Sequence, residues 1–348
     1  MRLKFLLATA AGAALLAGCT TQTGATELSD NMTESAASTP QAVDAEETVS
    51  TALTPPTAKR EPVTIEQVGR TRTDPYQWMK DENWQQVMRD PSVLRADIRE
   101  YLEAENAYTK AALEDPTEGL RETLLKEMRG RIKEDDSSVP AKDGPYAYYV
   151  RYREGGEYPI YARRPADQAF DDSAPETLLF DGDKEAEGKS YFSIRGMDNS
   201  PDHKRLAYAI DTQGSEYYTI SVRDIETGEP VGTPIEGTYG SFEWGADSDL
   251  LYWVERDDMG RPTAVFQRDL NTGEDVEIYR EEDPGFFVGV GKTESEDYIM
   301  IETGGHTSGE VWFFPADART PEPKLVAPRK EDEEYDVTHW NGAFYILT

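Results

Sequence analysis

Five short aromatic and aliphatic runs recur along the chain: Tyr146-Ala147-Tyr148-Tyr149-Val150, Leu206-Ala207-Tyr208-Ala209-Ile210, Leu250-Leu251-Tyr252-Trp253-Val254, Tyr298-Ile299-Met300-Ile301 and Phe344-Tyr345-Ile346-Leu347. The last four begin 44, 48 and 46 residues apart, and the first gap is 60. Each run has strand composition. A second register agrees with the first. Asp224-Ile225-Glu226-Thr227-Gly228-Glu229 returns as Asp269-Leu270-Asn271-Thr272-Gly273-Glu274, 45 residues on, where a glycine can supply the positive φ of a hairpin turn. A period of about 40–50 residues with four short strands per unit predicts a β-propeller. No unit buries both its faces alone, so neighbouring blades supply the core. The fold expected is therefore mainly β, a partial propeller over residues 136–348 with four blades and the start of a fifth. A propeller closes its last blade on its first. The repeat breaks off in mid-strand at Thr348, so the chain reads as cut short, with blade edges open to pairing.

The stretch 63–135 has a helical period instead. Asp90-Pro91 predicts an N-cap followed by proline at the first helical position. Leu94, Ile98, Tyr101, Leu102 and Tyr108 then recur at spacings of three and four, predicting a helix that ends near Glu114, before Pro116. A second helix is expected from Thr117, with Leu120, Leu124, Met128 and Ile132 on one stripe and Gly130 near its end. Both stripes need a partner surface.

The beginning of the chain reads as an address. Arg2 and Lys4 precede the apolar run Phe5–Leu16, which is too short to span a bilayer and remain there. Leu16-Ala17-Gly18-Cys19 resembles a bacterial lipobox. That resemblance implies a signal peptide over 1–18, cleavage before Cys19, acylation of Cys19, and, with Thr20 next, an outer-membrane anchor facing the periplasm. Residues 19–62 are rich in Thr, Ser, Ala, Glu and Pro, and no aromatic residue lies between Phe5 and Tyr76. Such a segment buries too little apolar surface to offset its ordering entropy, so it reads as an acidic tether.

Charge narrows the partners. Lys and Arg number 36 against 68 Asp and Glu, a net charge of −32. That field repels phosphate backbones, which argues against nucleic acid, and attracts cationic ligands. The single cysteine permits neither an internal disulfide nor a thiolate zinc cluster. His203, His306 and His339 lie far apart without metal-ligand spacing, so no metal and no cofactor is expected.

The motifs for chemistry are equally sparse. No Gly-x-Ser-x-Gly nucleophile elbow, phosphate loop or dinucleotide fingerprint occurs. Gly304-Gly305-His306-Thr307-Ser308-Gly309 follows a strand and reads as a turn. Asp181-Gly182-Asp183-Lys184-Glu185 opens like a calcium loop, but Ala186 and Phe192 stand where glycine and glutamate are needed, so it too reads as a turn. Glu134-Asp135-Asp136 reads as a solvated acidic loop. No catalytic residue is expected in this chain.

Several segments, in order, nonetheless resemble one family. Asp74-Pro75-Tyr76-Gln77-Trp78-Met79-Lys80-Asp81 is similar to the opening motif of the prolyl oligopeptidase family of serine peptidases. Arg131–Pro140, Tyr158–Arg164, Ala186–Ser193, Ser200-Pro201-Asp202 and Asp211–Glu216 resemble its oligopeptidase B branch more narrowly. The likeness runs from about Val63 to Thr348. It implies a seven-bladed propeller capping an α/β-hydrolase domain, with the helical segment packed on that domain. It also implies cleavage of short peptides after Arg or Lys, with the propeller keeping folded proteins out. The family's triad lies in the hydrolase domain, which nothing in residues 1–348 matches, so no triad residue is carried over and the chain alone is expected to be inactive. The other function class compatible with the repeat is a stand-alone acidic propeller lipoprotein serving as a binding or scaffold module.

Overall fold

A computed structural model describes residues 53–348. The lipobox, Cys19 and the tether up to residue 52 lie outside the described residues.

The region before the propeller opens with an element the helical period does not announce. Strands β1 (Val63–Gln67) and β2 (Arg70–Asp74) form an antiparallel hairpin around Val68 and Gly69, both at positive φ. Helix α1 (Trp84–Arg89) follows. Asp90 does act as a cap, accepting from the Ser92 amide at 2.9 Å, but it caps a single 3-10 turn, Pro91–Val93. Helix α2 (Ala96–Thr109) starts only after it. Pro116 does not separate two helices either. α2 passes through a π-turn, Lys110–Glu114, directly into α3 (Asp115–Arg129). The wider turn accommodates the proline ring, and the Thr117 hydroxyl donates to the Leu113 carbonyl at 2.6 Å beside the missing amide.

The propeller then follows in blades. Blade 1 holds β3 (Ala141–Asp143), β4 (Tyr146–Arg151), β5 (Ile160–Pro165) and β6 (Thr177–Asp181), in that spatial order. After the short helix α4 (Gly182–Ala186), blade 2 holds β7 (Ser193–Asn199), β8 (Arg205–Asp211) and β9 (Tyr218–Asp224). Strand β10 (Ile235–Trp244) serves two blades. Its start pairs with β9 at Ile235–Ile220, and its end pairs with β11 (Leu250–Arg256) at Trp244–Leu251. Blade 3 continues with β12 (Pro262–Asp269) and β13 (Asp275–Arg280), so blades 2 and 3 share one seven-stranded sheet. Blade 4 is β14 (Phe287–Lys292), β15 (Tyr298–Gly304), β16 (Gly309–Pro315) and β17 (Lys324–Leu325). The hairpin β18 (Asp336–Trp340) and β19 (Ala343–Leu347) opens blade 5.

The five recurring runs are thus the second strand of each blade. Their alternation explains why they stand out. Along β11, Leu251 and Trp253 face blade 2 and join Ala207, Ile220 and Trp244. Tyr252 faces blade 4 and joins Val265, Ile299, Ile301 and Phe314. A strand buried on both faces carries apolar groups at successive positions. Smaller clusters fill the other two interfaces, Phe180 and Leu206 between blades 1 and 2, and Met300, Val311 and Val337 between blades 4 and 5.

The two Thr-Gly-Glu turns are superimposable in their bonding. Asp224 Oδ1 accepts from the amides of Glu226 and Thr227, and Asp269 Oδ1 from those of Asn271 and Thr272. Gly228 and Gly273 both sit at φ 75°. Each turn joins the third strand of its blade to the outer strand.

Candidate functional site on the propeller axis

In an antiparallel blade the turns between first and second strands emerge on one face, and the connections between second and third strands on the other. Helix α1 marks the second face. Gln85 Nε2 donates to the Asp258 carbonyl in the β11–β12 connection at 2.8 Å, and the Arg89 guanidinium lies 4.6 Å from the ring centroid of Tyr217 in the β8–β9 connection. Arg256 covers the same ring at 4.3 Å. The helical segment is therefore seated on one end of the propeller axis.

The opposite end holds a cavity of about 270 Å³. The ends of β3, β7 and β14 converge on it, bringing Asp143, Asn199 and Lys292 together with Lys142, Tyr148 and His203. Its polar groups are bonded to one another. His203 stands in the β7–β8 turn at φ 60°, and its Nδ1 lies 2.9 Å from the Tyr148 hydroxyl and 3.3 Å from Asn199 Nδ2. Asn199 Nδ2 also reaches Asp143 Oδ2 at 3.4 Å. Gly144, at φ 55°, passes so close to the imidazole that a Cβ would come within 2.3 Å of Nε2. Burial pushes the Tyr148 phenol up to about 12, against the opposing pull of Arg163. Lys292 Nζ meets Glu243 Oε1 at 3.2 Å, with both side chains less than a tenth exposed. Asp198 and Glu296 complete an acidic rim.

Polar bonds at this end also tie each blade to the next. Arg163 donates to the His203 carbonyl at 2.6 Å, from blade 1 to blade 2. The Ser248 hydroxyl accepts from the Asp202 amide, and Arg205 meets Asp249 at 2.6 Å, from blade 2 to blade 3. Lys292 and Glu243 join blades 4 and 3. The Ser295 hydroxyl lies 2.8 Å from His339 Nδ1, joining blades 4 and 5.

That last contact gathers a serine, a histidine and an aspartate, since Asp297 Oδ2 lies 3.5 Å from His339. It is not a nucleophile triad. A triad needs serine on one imidazole nitrogen and carboxylate on the other, so that a proton can pass between them. Here both groups approach Nδ1. His339 is an inter-blade fastener, and its carbonyl accepts from the Ser295 amide as well.

The remaining sequence-level candidates resolve into structure. His306 is exposed in the β15–β16 turn, which the Gly305 amide closes on the Ser308 carbonyl at 2.9 Å. Asp181 caps α4, and Arg153 reaches it at 2.6 Å, so a guanidinium stands where a calcium loop would hold its cation. Asp183 Oδ1 accepts from the amides of Glu157 and Tyr158. Glu134 accepts from the Gly155 amide, and Lys133 lies near Asp135 and Asp136, in an exposed loop. The cavity residues Lys142, Asp143, Asp198, Asn199, Lys292 and Glu296 carry no sequence signal of their own. Only their place beside the Ser200-Pro201-Asp202 turn and its repeats, at the ends of first strands, could have gathered them.

Comparison with known proteins agrees with this architecture. The family model described as "Prolyl oligopeptidase, N-terminal beta-propeller domain" matches residues 55–348. Dipeptidyl aminopeptidase BI of Pseudoxanthomonas mexicana is 30% identical over 310 residues, covering 85% of this chain and 41% of that protein. Protease 2 of Moraxella lacunata is 31% identical over 300 residues, covering 84% and 41%. The structure of oligopeptidase B from Leishmania major superposes with a TM-score of 0.75 at 28% identity, covering 83% of this chain and 41% of that one. The chain thus spans about two fifths of the length of these relatives. With the blade order, the axial site and the helical segment on one end of the axis all in place, the chain belongs to the prolyl oligopeptidase family and carries its N-terminal β-propeller domain.

Proposed function

We propose that this chain is the propeller part of an oligopeptidase B-like serine endopeptidase that hydrolyses short peptides after Arg or Lys. The propeller restricts access to the active site. The observation that carries the reading is the apolar stripe of α3. Leu120 is 60% exposed and Met128 56%, with Leu124 and Leu125 beside them, on a segment fixed to one end of the propeller axis by Gln85 and Arg89. An exposed stripe of this kind marks a binding surface, and a hydrolase domain seated there would close that end of the axis. The far end keeps the acidic-rimmed cavity, and the net charge of −32 draws cationic peptides toward the molecule.

In the complete enzyme a serine attacks the peptide carbonyl, a histidine takes and returns the proton, and oxyanion donors stabilise the intermediate. This chain contributes the filter and the docking surface. Acylation of Cys19 anchors the protein to the bacterial outer membrane on the periplasmic side. Roughly 0.8 kcal/mol per buried CH₂ makes multiple acyl chains a firm hold.

The test has two arms. The purified chain should not turn over an arginyl amide, and turnover abolished by a serine-directed inhibitor would refute its silence. A chimera joining this chain to the hydrolase domain of Protease 2 should cleave a short arginyl peptide and spare a folded protein bearing the same sites. Equal cleavage of both would sink the filter.

A further inference from the structure

Two irregular strands face each other on the inside of blades 2 and 3. The pairing of β7 with β8 slips between Ile194 and Gly196, which makes Arg195 the extra residue of a bulge. The pairing of β10 with β11 slips between Thr238 and Phe242, around Tyr239 and Gly240. Bulges re-aim side chains. The Thr238 hydroxyl donates to the Tyr218 carbonyl at 3.0 Å and accepts from the Gly240 amide at 3.1 Å, which holds the second irregularity in shape. Gly240 sits at φ 89°, and a Cβ there would come within 2.6 Å of Arg195 Cδ. Only glycine leaves room for the arginine stem.

The guanidinium that this arrangement places lies over two tyrosines, 4.1 Å from the Tyr239 centroid and 5.5 Å from that of Tyr218. Among the described residues those rings are its partners, and it makes no hydrogen bond or ion pair there. Other arginines of the propeller behave differently. Arg163 is bonded to a carbonyl, and Arg205, Arg223, Arg268 and Arg329 are bonded to carboxylates. In a chain with 68 acidic residues, an unspent half-buried guanidinium is conspicuous. Ring faces hold the cation through its π-contact and leave its in-plane N–H fork available. That fork matches a carboxylate in bidentate geometry.

Position selects the carboxylate. Arg195 is near the start of β7, whose far end lines the axial cavity. Tyr218 directly follows Tyr217, the ring that receives Arg89 of α1. Arg195 therefore belongs to the helix-bearing end of the axis, where the reading given above seats the hydrolase domain. We infer that Arg195, cradled by Tyr218, Tyr239 and Gly240, binds the C-terminal carboxylate of short peptides. The inference rests on that reading for its substrate class. It adds a selectivity, because the terminal carboxylate of a short peptide can reach an inner strand and that of a folded protein cannot.

The test is a binding measurement on the full chain by calorimetry at low ionic strength. The probes are the tetrapeptide Gly-Gly-Arg-Ala as free acid, the same peptide as C-terminal amide, and Gly-Glu-Arg-Ala amide. A charge-assisted bidentate contact predicts that the free acid binds at least about tenfold tighter than its amide. Arg195→Gln should bring the acid to the level of the amide. Arg195→Lys should retain part of the difference, and Tyr239→Leu should reduce it, so two further variants stand behind the first should it fold poorly. Equal binding of acid and amide, absence of binding at millimolar peptide, or an undiminished difference in folded Arg195→Gln would each overturn the proposal. Equal binding of the glutamyl amide and the free acid would overturn the assignment to the terminus. None of these readouts needs catalysis. A chimera that fails to cleave leaves this site standing, and a chimera that cleaves while Arg195→Gln is without effect on binding removes the site alone.

Discussion

Single residues in this chain act mainly as fasteners between blades, and the buried pair Lys292–Glu243 is the sharpest case. Its charges are desolvated on inner strands of adjacent blades. Lys292→Met should cost about 3–5 kcal/mol, because it leaves Glu243 buried without its ammonium. Adding Glu243→Leu should recover most of the loss. Urea denaturation measures both, and a Lys292→Met chain as stable as the parent would show that the pair carries no stability. Glu310 gives a pH dependence at the other end of the axis. Burial pushes its carboxyl up, but the bonds from Arg329, at 2.8 Å to the side chain and 3.1 Å from its amide, outweigh burial and hold it below the usual range. A carboxyl depressed in the folded state contributes stability above its unfolded value, roughly 4.3, and that contribution disappears as pH falls through the folded value. The parent should therefore lose more stability than Glu310→Gln between pH 5 and pH 3, read as the midpoint of urea unfolding. Parallel losses would remove Glu310 from the acid response. Residues of this kind were not legible beforehand. A lysine in Gly-Val-Gly-Lys or an arginine in Ser-Ile-Arg-Gly looks like ordinary surface chemistry until a neighbouring strand is set beside it.

At the scale of elements, legibility followed burial. In blades 1 to 4 the second strand stood out because it is the strand covered by its neighbours, as along Leu250–Val254, whereas β19 carries the same composition on exposed positions. First strands did not, because glycine and bulges adapt them to the crowded axis: a Cβ at Gly196 would come within 2.9 Å of the Phe242 ring, and one at Gly240 within 2.6 Å of Arg195. The helix boundaries misled for a related reason. Proline and an Asp-Pro cap are local signals, but a π-turn and a 3-10 turn absorb them, and the long helix runs on. The hairpin β1–β2 is nearly all exposed and so shows no apolar alternation. The helical segment also makes an uneven prediction. Ile98 is 5% exposed, next to the Trp78–Tyr101 edge-to-face pair, and Ile98→Ala should destabilise the segment by about 2–4 kcal/mol. Leu124→Ser, on the exposed stripe, should change the stability of the chain by less than about 0.5 kcal/mol and impair only the chimera with a hydrolase domain. Thermal melts of both variants, with peptide hydrolysis by the chimera, check the contrast. A large melting shift in Leu124→Ser would mean that the stripe is already covered.

The whole molecule carries one property that no blade carries alone, its charge. The whole chain has a net charge of −32, most of it on a body whose blades meet through apolar cores and polar fasteners, so self-repulsion works against every inter-blade interface at once. Screening shortens the reach of that repulsion from about 10 Å at 0.1 M salt to about 3 Å at 1 M. Buried fasteners such as Lys292–Glu243 are screened far less, and exposed pairs contribute little to begin with. The balance therefore has a sign. Sodium chloride should raise the melting temperature by several degrees between 0.05 and 0.5 M, a span over which the screening length falls roughly threefold. It should also make unfolding more cooperative, since the blades share interfaces and loosen together. The same screening weakens the attraction for cationic peptides, so an arginyl tetrapeptide should bind more weakly in salt while the fold that binds it grows firmer. Calorimetric melts and peptide titrations over one salt series test the pair of trends. A melting temperature that stays flat, or falls together with peptide affinity, would mean that attractive surface pairs outweigh the net field and that the acidity of this chain does not govern its stability.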